Sequence, residues 1–237
     1  MTHDAGTLPS GFKRAVFKTA YELTKKRFWL LAWLLTIATL PQIFNILIAV
    51  VEGVIEAVAR SGGEEPSFGV FSIVAGLISL ACSLLSIPFM AGFYWASLRL
   101  VRGEEATLGD VLSQLRHFWS YLFGGILYAL GVLGGLLLLI VPGLIWAVKW
   151  SFYQFPIMDE GLKAGAALKR SGDLTRGAKW QVFGFFLLLL ALNVAGLLAF
   201  VVGLLFTVPM SYVAMAVFYD KLKLRATLLT PNLVVEG

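Results

Sequence analysis

A single cysteine, two histidines and a thin scatter of charge are what this chain has least of, and each scarcity excludes something. Only 14% of its 237 residues are charged, against roughly 25% in an ordinary soluble domain, so the chain as a whole cannot be a water-soluble globule. The lone Cys82 rules out an intramolecular disulfide framework and reads as a small hydrophobe within an apolar run. His3 lies in the polar amino-terminal stretch, read as a disordered tail, and His117 at the edge of an apolar run. Neither has a second histidine or a carboxylate at ligand spacing, so no metal site and no cofactor are expected. No short apolar core ends in a small-residue cleavage site, which argues against a removable signal peptide. Tryptophans stand at the boundaries of apolar runs rather than on a solvated basic face, which argues against nucleic acid as a partner.

What the chain does have is apolar length: 59% of its residues are hydrophobic. About 20 apolar residues in helical form cross a hydrocarbon core about 30 Å thick. The runs give six expected crossings, at about 28–51, 71–98, 118–140, 144–158, 180–202 and 210–220. The expected fold is all-α: a polytopic membrane protein, one membrane domain over 1–237. Pro41 is expected to kink the first crossing. Turns are expected at Ser61-Gly62-Gly63-Glu64-Glu65-Pro66, at Val141-Pro142-Gly143 and over Gly203 to Pro209. From Phe12 to Arg27, Phe12, Val16, Ala20 and Leu23 share one helical stripe, and Arg14, Lys18 and Lys25 share the opposite one. Such a helix suits the headgroup layer. Thr107 with Asp110 three residues on marks the start of another short amphipathic helix.

Charge sets the orientation. Lysine and arginine crowd the amino-terminal segment, the 99–116 and 159–179 connections and the tail after Asp220, whereas the opposite side carries only Arg60 beside Glu52, Glu56, Glu64 and Glu65. The positive-inside bias therefore places both termini in the cytoplasm, with six crossings between them. Trp29, Trp119 and Trp180 then fall at the inner entrances as an aromatic belt.

A sequence unit recurs. Leu23-Thr24-Lys25 stands six residues ahead of Trp29, and Leu174-Thr175-Arg176 six ahead of Trp180; Lys18 aligns with Lys169, Ala20 with Ser171 and Glu22 with Asp173. Leu112-Ser113-Gln114 occupies the corresponding place before Trp119. Pro88, Pro142 and Pro209 are read as standing near the outer starts of the even crossings. Three tandem units follow, at about 10–102, 103–160 and 161–225 with a tail over 226–237, each an amphipathic helix feeding a hairpin. Lys18, Lys25, Lys169 and Arg176, with the three tryptophans, are the expected interfacial anchors, facing anionic lipid headgroups.

The stretch Pro142-Gly143-Leu144-Ile145-Trp146-Ala147-Val148-Lys149, then Asp159-Glu160-Gly161, Ala167-Leu168-Lys169-Arg170-Ser171 and Leu174-Thr175-Arg176-Gly177, resembles bacterial multi-pass proteins of the YciC-like kind. It is similar also to the membrane domain of some glycerophosphodiester phosphodiesterases. The likeness covers about the last 100 residues and implies a fold class rather than a reaction, because no segment here is long enough for the phosphodiesterase barrel. It also implies that a basic residue is usual at the position of Lys149.

Three polar residues inside apolar runs are the candidate ligand or lipid contacts. Lys149 lies about 10 Å along its helix from Pro142, at a depth where a charge costs at least about 2.5–3.5 kcal/mol. Contact with a substrate or a lipid phosphate competes there with a structural lysine satisfied by carbonyls, by Asn45 or Asn193, or by snorkelling. Asn45 and Asn193 hold corresponding places in the first and third units, where interhelical hydrogen bonding is the ordinary role. Asp159-Glu160 reads as a solvated helix start near Lys163 rather than an acid–base pair. Gly131 and Gly135 read as a close-packing pair. The expected protein is non-enzymatic, engaged in lipid handling, membrane homeostasis or as an accessory subunit, with a membrane-protein partner or a second copy as possible company. The alternative is a small transporter or channel with a polar path near Lys149.

Overall fold

The computed structural model describes residues 11–61, 69–199 and 202–229, and among them every regular element is a helix. In chain order these are α1 (Phe12–Lys26), α2 (Phe28–Ser61), α3 (Val70–Val101), α4 (Leu108–Ser113), a 3-10 turn (Gln114–His117), α5 (Phe118–Leu138), α6 (Ile140–Trp150), α7 (Gln154–Asp159), α8 (Ala164–Leu174), α9 (Lys179–Leu198) and α10 (Val202–Leu229). Four stretches of the described residues are long and apolar enough to cross a membrane: Phe28–Ser61, Phe71–Val101, Leu108–Leu138 (which takes in α4 and the 3-10 turn) and Lys179–Leu198.

Local chemistry explains most boundaries. Thr107 and Asp110 form a reciprocal capping box at the start of α4, in which the Thr107 backbone N–H donates to Asp110 Oδ2 at 2.6 Å. The expected turn at Val141-Pro142-Gly143 lies slightly earlier: Leu139 is extended at φ −167°, ψ 149°, and Pro142 sits in the first turn of α6, where a missing N–H costs no intrahelical bond. Gly203 to Pro209 is helix rather than turn, so Pro209 lies inside α10, and Pro88 lies well inside α3. In an apolar surrounding a helix interrupted by proline keeps more backbone bonds satisfied than an open turn would. The expected fourth crossing is two short helices, α6 and α7, joined through Ser151–Tyr153. Residues 62–66 of the first expected turn, His3 and the tail beyond 229 lie outside the described residues.

α3, α6–α7 and α10 converge at one level. The Tyr94 ring lies 4.8 Å from Tyr212 and 5.5 Å from Phe155, and Phe155 lies 4.7 Å from Tyr219. Aromatic pairs at such separations add about 0.5–1.5 kcal/mol each beyond area burial. From this level back to its first residue, α3 is about 36 Å long, α6–α7 about 22 Å, and α10 about 15 Å from Tyr212 or about 26 Å from Tyr219, at 1.5 Å per residue. The α2–α3 hairpin is therefore the tallest. Its far part exposes Phe44, Leu47, Val54, Phe71 and Leu77, as lipid-facing helices do.

α4 and α8 each pack on the helices that precede them in the chain. α4 lies on α3, so closely that a Cβ on Gly92 would fall on the Val111 backbone. α8 lies on α5 and α6. α1, first in the chain, closes the ring by packing on α10 and α9: Phe12 meets Phe218 at 5.1 Å and Phe17 meets Phe185 at 5.7 Å. Further along α1, Tyr21 meets Phe206. α1 thus runs antiparallel along α10 with Val16, Ala20 and Thr24 buried, so the apolar stripe read from the sequence packs on the bundle.

Candidate functional site

The ends of α3 and α7 and the last third of α10 deliver charge to one place. Arg102, one residue past α3, donates from Nη1 and Nη2 to Asp159 Oδ1 and Oδ2 at 2.6 and 3.0 Å, and from Nε to Asp220 Oδ1 at 3.0 Å. Lys223 Nζ donates to Asp159 Oδ2 at 2.7 Å and stands 3.5 Å from Glu160. The Tyr219 hydroxyl donates to the same Asp159 oxygen at 3.0 Å. Arg170 of α8 pairs with Glu160 at 3.0 Å. Nearby, Arg99 pairs with Glu104 at 2.8 Å and with Asp110 of the capping box.

The Asp159 side chain is only 5% exposed. Burial pushes its carboxyl upward, but hydrogen bonds from Arg102 and Lys223 outweigh that and hold it at about 2. Hydrogen bonds to Asp159 in turn raise the Arg102 guanidinium further. Two carboxylate oxygens accept four donors, so Asp159 has little basicity left to offer a reacting group. The arrangement is suited to tying the ends of α3 and α7 to α10, not to moving a proton. This corrects the reading of Asp159-Glu160 as a solvated helix start: the pair is the centre of an ion lattice. The lattice was hidden because the partners of Asp159 are 57 to 64 positions from it, and Arg102 and Asp220 are 118 apart. The signal that could have found it is a charged residue at the exit of every even crossing.

The candidate contacts do not converge. Asn45 Nδ2 donates to Ser83 Oγ at 2.8 Å inside the α2–α3 hairpin. Asn193 Nδ2 donates to Ser211 Oγ at 2.8 Å inside α9–α10. Lys149 is level with the middle of α5, where Gly131 makes room for Trp150 and Gly135 meets Gly143; this is the close packing expected of that glycine pair. The Lys149 stem lies on Gly172 of α8, whose added Cβ would stand 2.7 Å from Lys149 Cε. Its backbone carbonyl accepts from Ser171 and Thr175 at 3.0 and 3.1 Å. Its ammonium stands 5.6 Å from the Trp150 ring and has no ion-pair partner among the described residues. Asn45 and Asn193 therefore do not satisfy Lys149.

The recurring unit has matching environments. Ala20 and Ser171 are fully buried, as are Thr24 and Thr175, while Lys18, Lys25, Lys169 and Arg176 are exposed. Trp29, Trp119 and Trp180 are 82%, 64% and 85% exposed. Two grooves open beside the first and last of these tryptophans. One, of about 450 Å³, is lined by Lys25, Lys26, Arg27, Phe28, Trp29, Leu30 and Phe206. The other, of about 240 Å³, lies between α6 and α9 and includes Ile145, Val148, Lys179, Trp180 and Phe183.

Fold and site together define an all-helical protein with apolar helices of membrane-crossing length, closed at one end by an ion lattice. Residues 100–235 match the family described as Domain of unknown function (DUF7847), and the chain belongs to that family. The lattice residues all fall within the matched region, and α1, α2 and most of α3 precede it. No curated protein and no solved structure matches the chain.

Proposed function

We propose that this is a non-enzymatic membrane protein of three hairpin units and six crossings that gathers anionic phospholipid around its basic rim. The single observation behind this is the exposure of Trp29, Trp119 and Trp180 at the starts of α2, α5 and α9, each near lysines or arginines left in the open. Tryptophan prefers the headgroup level, and each basic residue near an anionic surface adds about 1 kcal/mol of attraction. The cyclic packing of α1, α4 and α8 on neighbouring hairpins supports the three-unit reading, because each amphipathic helix then repeats one structural role. In this reading the ion lattice marks the cytoplasmic end, both termini are cytoplasmic, and the membrane is the bacterial inner membrane. The stretch that resembles YciC-like proteins, 142–177, lies within the family region. The transporter alternative is less favoured, because Lys149, Asn45 and Asn193 line no common path.

Two measurements test this. In a Cys82→Ser background, cysteines placed at Ser61 and Thr227 should be labelled from opposite sides of the membrane by an impermeant maleimide. Labelling of both from one side would overturn the topology. Purified protein should melt at higher temperature with phosphatidylglycerol than with phosphatidylcholine, and equal melting would overturn the lipid reading.

A further inference from the structure

The two grooves are repeat-related. Trp29 and Trp180 are equivalent in the recurring unit, and each stands where the start of one hairpin meets the preceding unit's returning helix: α2 against Phe206 of α10, and α9 against Ile145 and Val148 of α6. Each groove joins cations at its mouth to an apolar wall. At the first, Lys25, Lys26 and Arg27 stand beside Phe28, Trp29 and Phe206; Phe28 stacks on Phe206 with centroids 5.9 Å apart. At the second, Lys179 stands beside a wall of aliphatic residues and Phe183. Lys25, Lys26 and Lys179 have no ion-pair partner among the described residues, although Glu22 lines a neighbouring shallow groove with Lys25 and Lys26. A wall that is apolar, with unpaired positive charge at one end, has the two-part chemistry of an anionic amphiphile. A free phosphate would leave the wall unused, and a zwitterionic lipid would bring its own cation to the mouth.

We infer that each of these seams seats one anionic phospholipid, its phosphate at the cations and one acyl chain along the wall, giving two firmly held lipids per chain. This deepens the proposed function and rests on it. The cations fix the headgroup and the seam admits a chain between units, so the bound lipid fills the joint between one unit and the next. The two seams differ in strength. Three cations serve the α1–α2 seam and one serves the α6–α9 seam, so the first seam loses affinity more steeply as ionic strength rises.

The test is native mass spectrometry of the full chain, released from micelles doped with phosphatidylglycerol or with phosphatidylcholine. The expected result is a plateau at two phosphatidylglycerols and none at equal phosphatidylcholine. Lys25→Gln/Lys26→Gln/Arg27→Gln should leave one, Lys179→Gln should leave one, and the two sets together none. Ile145→Trp, which fills the α6–α9 groove without changing charge, should also leave one. Melting curves confirm that each variant is folded, and the exposed Lys179→Gln keeps the second seam testable if Ile145→Trp does not fold. A plateau unchanged by every variant, or a count that climbs with lipid without levelling, overturns the seams. If wild type still melts higher with phosphatidylglycerol in that case, the broader lipid reading stands alone; if it does not, both fall.

Discussion

Lys149 and Arg102 show how far one residue's surroundings decide its meaning. Lys149 was conspicuous in the sequence because a cation in an apolar run is costly. Its stem rests on Gly172, its carbonyl is held by two hydroxyls of α8, and its ammonium has only the Trp150 face nearby. Such a contact contributes about 0.5–2 kcal/mol, less than the insertion cost. Lys149→Met keeps the stem and removes the charge, so it should raise the melting temperature in detergent while leaving phosphatidylglycerol retention at wild-type level. A fall in stability would mean that the ammonium has a stabilising partner. Arg102 drew no notice in the sequence beyond its sign. It makes three hydrogen bonds to two carboxylates from one planar fork, a geometry that lysine cannot copy. Arg102→Lys should therefore destabilise by about 1–3 kcal/mol, read as a lower melting temperature, despite conserving charge.

Among the elements, helix starts were the most legible feature, and connections the least. The expected entrances at Phe28, Phe118 and Trp180 fall within a residue of the observed starts of α2, α5 and α9. An abrupt change from basic to apolar composition is a local signal. The capping box at Thr107 was equally local. The break at Leu139 and the helical course through Pro209 depend on what packs against them, so proline and glycine placement alone misled. The lattice around Asp159 depends on the convergence of α3, α7 and α10, which no local pattern encodes. Two glycines that look alike in sequence separate clearly at this scale. A Cβ on Gly92 meets the backbone of Val111, which cannot yield without lifting α4 from α3; a Cβ on Gly172 meets the flexible Lys149 stem. Overpacking against backbone costs about 1–3 kcal/mol, whereas a helical glycine replaced by alanine gains roughly 1 kcal/mol in propensity. Gly92→Ala should therefore lower the melting temperature distinctly, and Gly172→Ala should change it little. Equal effects would mean that α4 rides loosely on α3.

Across the whole molecule, the described helices share one ionic fastening at the end where α3, α7 and α10 leave the aromatic core. Asp159 is its hinge point, because Arg102 brings the end of α3, and Lys223 and Tyr219 bring α10, to one carboxylate on α7. Its pH response follows from the direction of the shift. The folded carboxyl is held at about 2, below its ordinary 3.8, so the unfolded chain takes up the proton first as acid is added. The stabilisation is complete above about pH 4, on the order of 2 kcal/mol, and drains away between about 4 and 2. Because the carboxyl joins α3, α7 and α10, its loss should loosen these helices from one another before they melt. Acid titration of purified protein should thus show near-ultraviolet circular dichroism from the packed rings fading between pH 4 and 2 while far-ultraviolet signal persists. Asp159→Asn should begin less stable at neutral pH and lose this acid step. An unaltered acid step in that variant would place the fastening elsewhere, with Glu160 and Arg170 the next pair to remove.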